Sequence, residues 1–287
     1  MNTTFLSYAK GRYFWLSAGL LVICIAAYQI HDPKPNPNGG TWLGYTLGTI
    51  AALMILWLAY LGRRKRNFAK GWGTVRGWVS AHVYFGTSLI VIATLHTGFQ
   101  AGWNIHTFAF VLMCLVIFSG FFGVWSYRLY PSERNALKKS QSLDEIFLQL
   151  EEIDSQMTRL ATEADNTIRG VVSSVIERTV IGGGYSDQLF GRDQSKVVIE
   201  GAVMENTRQQ KALDYLVERR TRSQGDESTL LAEIIRALGN RKRLLATIRE
   251  DIRMHAMIQV WLMVHIPLTF ALFAALAAHI FAVFVYW

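Results

Sequence analysis

Residues 257–287 form a stretch without one Asp, Glu, Lys or Arg, in which the ionisable side chains are His265 and His279. A run of this length crosses a hydrocarbon core of about 30 Å as a helix. Inside such a core each backbone N–H and C=O must be satisfied within the segment, which leaves helix as the conformation. Four earlier runs have the same character, at residues 13–30, 41–62, 75–100 and 105–129. The expected fold class is therefore all-α, an integral membrane helical bundle with five spans. The first run follows Lys10 and Arg12 as a secretory signal would, but it is long for a signal h-region and is expected to remain as a span.

The chain is not apolar throughout. Its hydrophobic share is 51% and its mean hydropathy +0.21, yet residues 131–255 hold twenty of its twenty-one acidic residues and nineteen of its twenty-nine basic ones. This division sets the expected organisation: spans one to four in residues 1–130, a helical insertion in 131–255, and the fifth span in 256–287. The insertion is nearly neutral, so the net charge of +8 belongs mainly to the membrane part. Arg63, Arg64, Lys65, Arg66, Lys70 and Arg76 cluster between spans two and three, whereas the loop after span one carries Asp32 and Lys34. By the positive-inside rule that basic loop is cytoplasmic, the N-terminus inside, the C-terminus outside and the insertion cytoplasmic. A basic run beside a span reads as a topology signal, so no nucleic-acid partner is expected. The expected location is a prokaryotic plasma (inner) membrane.

Span three carries His82 and His96, fourteen residues apart, the same separation as His265 and His279 in span five. Fourteen residues are close to four helical turns, about 21 Å along the axis, so the two imidazoles of a span share a face but not an ion. Spans three and five run in the same direction, which pairs His82 with His265 near the inner side and His96 with His279 near the outer side. Two facing imidazoles suit the axial positions of a planar metal macrocycle, whereas zinc requires three or four converging ligands. Two haem b groups are expected, with His82 and His265 on the inner iron and His96 and His279 on the outer iron. Cys24 and Cys114 lie inside apolar runs, and neither a CxxCH attachment motif nor a cysteine cluster occurs.

A ligating imidazole needs a partner for its second nitrogen; Ser80, Thr97 and Thr269 are the nearby candidates. Gly48, Gly120 and Gly123 lie at depths where small residues would let a macrocycle approach the backbone. Arg76, Arg128 and Arg253 fall near the inner boundary, where guanidinium groups would pair with haem propionates. Pro267 lacks an N–H and is expected to free the carbonyl of Met263 and kink span five.

These residues resemble the membrane di-haem cytochromes b. The segments HVYFGTSLIVIATLH, from His82 to His96, and HIPLTFALFAALAAH, from His265 to His279, are similar to the paired haem-ligating helices of bc-type cytochrome b. The resemblance covers spans two to five. It implies transmembrane electron transfer through two b-type haems, between a quinone pool and a redox partner such as a c-type cytochrome or iron–sulfur subunit. The PEWY motif associated with quinol oxidation is absent, Pro267 follows the histidine closely, and the insertion is large. Ferric reductase and NADPH oxidase membrane domains also look similar, with histidine pairs on their third and fifth spans, and a ferric reductase-like subunit is one alternative. The sequence shows neither a sixth span nor a GxGxxG fingerprint; Gly182–Gly184 reads as a loop cluster. A non-enzymatic alternative is a membrane signalling or scaffold protein whose histidines serve packing. His31 and His106, at the outer boundary, are candidates for proton exchange with a quinone.

Within the insertion, helical periodicity runs from 142 to 179 with a capping box at Ser142 and Glu145. It breaks at 182–191, returns over 204–222, and continues over 227–254, from where the last helix is expected to run into span five.

Overall fold

The computed structural model describes residues 5–32, 37–66, 73–138 and 142–285, with side chains described for 6–32, 37–62, 73–126 and 142–285. Lys34 and Lys70, and the side chains of Arg63, Arg64, Lys65, Arg66 and Arg128, lie outside what is described. The chain is mostly helical. Its helices are α1 (Arg12–Ile30), α2 (Trp42–Arg66), α3 (Val75–Thr97), α4 (Ile105–Lys138), α5 (Leu143–Thr162), α6 (Asn166–Glu177), α7 (Tyr185–Phe190), α8 (Gln210–Arg222) and α9 (Gly225–Val285). Five of them, α1, α2, α3, α4 and α9, are long and apolar enough to cross a membrane. Two compact units result: Met1–Arg128 with Trp261–Trp287, and Leu129–Val260.

In the first unit a stripe on α2, Leu43, Leu47, Ala51, Ile55 and Leu58, packs with Leu89, Ile92, Ala93 and Leu95 of α3. Ala109, Leu112 and Met113 of α4, Leu272 and Ala275 of α9 and Cys24 of α1 complete this core. Large side chains such as Ile23, Leu53, Phe118, Phe270 and Phe284 are exposed around it. So much apolar outer surface suits lipid better than water. Thr74 caps α3 by accepting a hydrogen bond from the Gly77 N–H at 3.1 Å. That helix stops at Thr97, short of the end of its apolar run at 100, because Gly98 turns left-handed at φ +59. A Cβ there would stand 2.1 Å from the Pro37 carbonyl oxygen, so only glycine fits. At α4 the difference has the opposite sign: the helix continues past 129 to Lys138, because loss of apolarity does not end a segment whose polar residues still favour helix. The α9 helix continues through Pro267, and its residues contribute to both units.

The second unit packs α5, α6, α8 and part of α9 around Met157, Val171, Val175, Leu216, Ile234 and Leu238. Ile146 and Leu150 of α5 form a smaller cluster with Leu245 and Ile248 of α9. The capping box is present: Glu145 N–H donates to Ser142 Oγ and Ser142 N–H to Glu145 Oε2, each at 3.1 Å. One departure from an all-helical insertion is an antiparallel hairpin of β1 (Lys196–Ile199) and β2 (Ala202–Glu205). The helical reading from 204 misses it. Its signals are the β-branched run Val197-Val198-Ile199 and the two-residue turn Glu200-Gly201, both at positive φ as a tight hairpin requires.

Along α9 the positions 231, 234, 238, 241, 245 and 248 form one inward stripe, and all are apolar except Arg241. That guanidinium is 2% exposed and spends its donors on Asp154 at 2.6 and 3.3 Å, Thr179 Oγ1 at 2.8 Å and Gln209 Oε1 at 3.3 Å. The network ties α5, the end of α6 and the loop before α8 to one point on α9. Removing the cation strands Asp154, so Arg241→Ala should destabilise this unit by about 3–5 kcal/mol. Hydrogen–deuterium exchange on the full chain should show faster exchange throughout α5, α6 and α8; unchanged protection would show that the network carries little stability.

Candidate functional site

The first unit places four histidines of the two fourteen-residue pairs on α3 and α9. On α3, Nδ1 of His82 lies 3.1 Å from the Leu58 carbonyl oxygen and Nδ1 of His96 lies 2.7 Å from that of Gly44. A carbonyl only accepts, so in each neutral ring Nδ1 carries the proton and the lone pair lies on Nε2. Leu58 and Gly44 are themselves fourteen residues apart on α2, in reverse order. Antiparallel packing of α2 on α3 thus repeats one arrangement at two levels.

His265 has a hydroxyl partner instead. Its Nδ1 is 2.7 Å from Ser119 Oγ, which also stands 2.8 Å from the Val116 carbonyl oxygen. A hydroxyl that gives its proton to Val116 accepts from Nδ1–H and leaves the lone pair on Nε2; one that gives it to Nδ1 does the reverse. Trp261 covers this imidazole, with ring centroids 5.1 Å apart, and donates its indole N–H to the Ser119 carbonyl at 2.8 Å. His279 makes its contact with His106, Nδ1 to Nδ1 at 2.6 Å, so one of these two nitrogens carries the shared proton. Since Ser119 sits by His265 and His106 by His279, α4 runs antiparallel to α9.

The structure brings His96 and His279 together: their ring centroids are 6.0 Å apart and their planes lie at 83°. His82 and His265 are held by their separate partners on α2 and α4. Among the described residues, no group of three or more His, Cys, Asp or Glu side chains is placed to hold a metal ion.

The glycines expected to admit a macrocycle border aromatic side chains of the site. A Cβ at Gly48 would stand 2.7 Å from His96 Cε1, and one at Gly123 would stand 2.2 Å from the Trp261 ring. Gly120 faces His265 Cε1 at 3.8 Å. The expected hydroxyl partners are corrected: Thr97 donates to the Thr94 carbonyl and Thr269 to the His265 carbonyl, while Ser80 Oγ is buried without a partner. Side-chain hydroxyls one turn away on a helix bond their own backbone first, which leaves the imidazoles to groups on other helices. The working partners, the Gly44 and Leu58 carbonyls, carry no sequence signal. Ser119 does carry one, being a hydroxyl thirteen residues after His106 on the helix that faces the fourteen-residue pair of α9.

Arg76 is exposed in the first turn of α3. Arg253 belongs to the second unit, where it lies 3.4 Å from Glu250. His31 stands edge-on to Trp42 with centroids 5.1 Å apart, its Nε2 buried without a hydrogen-bond partner among the described residues. Compared with family models, curated proteins and solved structures, the chain matches none.

Because the His96 ring fills the space beside Gly48, Gly48→Ala must displace it, whereas a Cβ at Gly86 meets only Leu58 Cδ1 at 3.9 Å. Overpacking of this kind costs about 1–3 kcal/mol. Cys24 and Cys114 are free thiols in this unit, one buried and one half-buried, so a thiol-reactive dye reports its melting. Gly48→Ala should lower the midpoint by several degrees and Gly86→Ala should leave it unchanged; equal midpoints would remove the steric role of Gly48.

Proposed function

We propose that the chain is an integral membrane di-haem cytochrome b, which passes electrons across the bilayer between a quinone pool and a redox partner in a larger complex. The observation that carries this reading is the tautomer control: His82 and His96 each have Nδ1–H committed to a carbonyl on another helix, and His265 has its Nδ1 on the Ser119 hydroxyl. This is the arrangement a metal-ligating histidine needs, with the second nitrogen fixing ring orientation and raising ligand basicity. The donor set fits haem, since it offers imidazole pairs and the rings of the pair His96–His279 already stand with centroids 6.0 Å apart. In this reading His82 and His265 hold the inner group and His96 and His279 the outer one. The N-terminus is inside, the C-terminus outside and the insertion cytoplasmic.

When bound, haem supplies a one-electron ferric–ferrous couple. The chain's own residues do the rest. The Gly44 and Leu58 carbonyls accept from His96 and His82, which sets the tautomer and orientation of each ring. Ser119, bonded to Nδ1, orients His265. Ile92, Leu89, Leu272 and Ala275 keep water from the space between the two levels, and a dry, low-dielectric surrounding tunes a metal's potential. His106, bonded to His279 near the outer boundary, is placed to orient that ligand. His31, with its unpartnered Nε2 beside Trp42, supports a proton-exchanging quinone contact on the same side.

A pyridine haemochrome assay on the purified chain should return two b-type haems per polypeptide. His82→Ala and His265→Ala should each remove one and the same haem, and His96→Ala and His279→Ala the other, as resolved by redox titration of the visible bands. Absence of haem in a correctly inserted chain would overturn the assignment. Losses that group by helix instead of by level would overturn the pairing.

A further inference from the structure

The second unit contains a half-enclosed cleft of about 920 Å³ bordered by the loop after α7, the end of the hairpin and one face of α9. This volume falls in the range of small-molecule sites. Six cations line it, Arg192, Lys196, Arg208, Lys242, Arg249 and Arg253, against the carboxylates of Asp193, Glu205 and Glu250. Those carboxylates already have cationic neighbours. Asp193 lies 2.7 Å from Arg249 and accepts from the backbone N–H groups of Arg208 at 2.6 Å and Ser195 at 3.0 Å. Glu250 is 3.4 Å from Arg253, and Glu205 stands opposite Lys196 in the hairpin register.

Arg192, Arg208 and Lys242 remain without a carboxylate partner among the described residues. Lys242 donates to the neutral Gln210 Oε1 at 2.7 Å, and Arg192 lies over the Phe190 ring at 5.6 Å. Arg208 sits in a costly backbone conformation, with φ +53 followed by φ +59 at Gln209. Left-handed non-glycine residues cost about 1–3 kcal/mol each and persist where the surroundings hold them. Here the Asp193 carboxylate on the Arg208 N–H does so, and keeps that residue at the cleft wall. The arrangement is a small cavity with three uncompensated positive charges, two of them guanidinium forks matched to phosphate oxygens.

We propose that this cleft binds a polyphosphate group, a di- or triphosphate carried on a small molecule, with Arg192, Arg208 and Lys242 as its cationic ligands. The exposed Phe190 ring at the rim offers an apolar face to whatever the phosphate is attached to. The same phosphate chemistry has a second source, the headgroups of anionic lipids, and the enclosed volume favours the soluble one.

The test is isothermal titration calorimetry on the full chain in nanodiscs of zwitterionic phosphatidylcholine, with inorganic triphosphate and with ATP. One-site binding that weakens with added salt is expected. The double variant Arg208→Glu/Lys242→Glu should weaken it by about tenfold or more, while Arg220→Glu, an exposed charge reversal outside the cleft, should leave it unchanged. Hydrogen exchange on each variant confirms that the unit stays folded. Repeating the titration in nanodiscs containing phosphatidylglycerol separates the sources: reduced triphosphate affinity assigns the site to lipid headgroups, and unchanged affinity to a soluble ligand. No heat with either anion, or equal affinity in the folded double variant, overturns the proposal.

Discussion

A neutral imidazole has one N–H and one lone pair, and an acceptor that claims the N–H decides where the lone pair lies. In this chain that choice is made by neighbouring helices. The Gly44 and Leu58 carbonyls on α2 each take Nδ1–H from a histidine on α3, and the Ser119 hydroxyl on α4 is bonded to Nδ1 of His265. For Gly44 to do so, His96 must come close enough that its ring excludes any side chain at Gly48. For Ser119 to accept from His265, its own proton must go to Val116; beside this pair Trp261 lies across the glycine at 123. In a hydrocarbon surrounding, where helix association has little hydrophobic drive of its own, such polar contacts also fix which helices meet.

Much of this was legible in the sequence. Runs of apolar residues located the membrane-competent helices because lipid admits no other backbone solution for a single segment. The fourteen-residue spacing of the histidines puts two imidazoles on one face of α3 and two on one face of α9. What stayed hidden follows from the same chemistry. A backbone carbonyl has no residue identity, so Gly44 and Leu58 could be recognised only once α2 was laid beside α3. Hydroxyls near the histidines in sequence, Thr97 and Thr269, were occupied by their own helix. At Gly48 the sequence shows that a side chain is absent but not what lies beside it, which is the His96 ring.

The second unit obeys a different solvent and was less legible for that reason. Its helices declared themselves by amphipathic spacing and by the Ser142–Glu145 cap, yet the hairpin at 196–205 was obscured by a helix-like pattern beginning at Met204. Arg241 occupies a position where periodicity calls for an apolar residue; it is tolerated because Asp154, Thr179 and Gln209 use every face of the guanidinium. Arg249 shows the complementary case. Burial lowers the pKa of its guanidinium and the Asp193 carboxylate beside it offsets only part of that shift, in a pair whose counter-charge stands 2.7 Å away. Arg192, Arg208 and Lys242 of the cleft have no carboxylate partner among the described residues.

The central claim is that His96 and His279 act as a pair across one metal, with ring planes near perpendicular. Electron paramagnetic resonance of the oxidised, haem-loaded chain tests this directly, because perpendicular axial imidazoles leave two iron d orbitals nearly degenerate and produce a strongly anisotropic low-spin signal. The predicted result is one such low-spin component that disappears in His96→Ala and in His279→Ala alike. A spectrum dominated by high-spin iron, or one in which both variants keep every low-spin component, would contradict it.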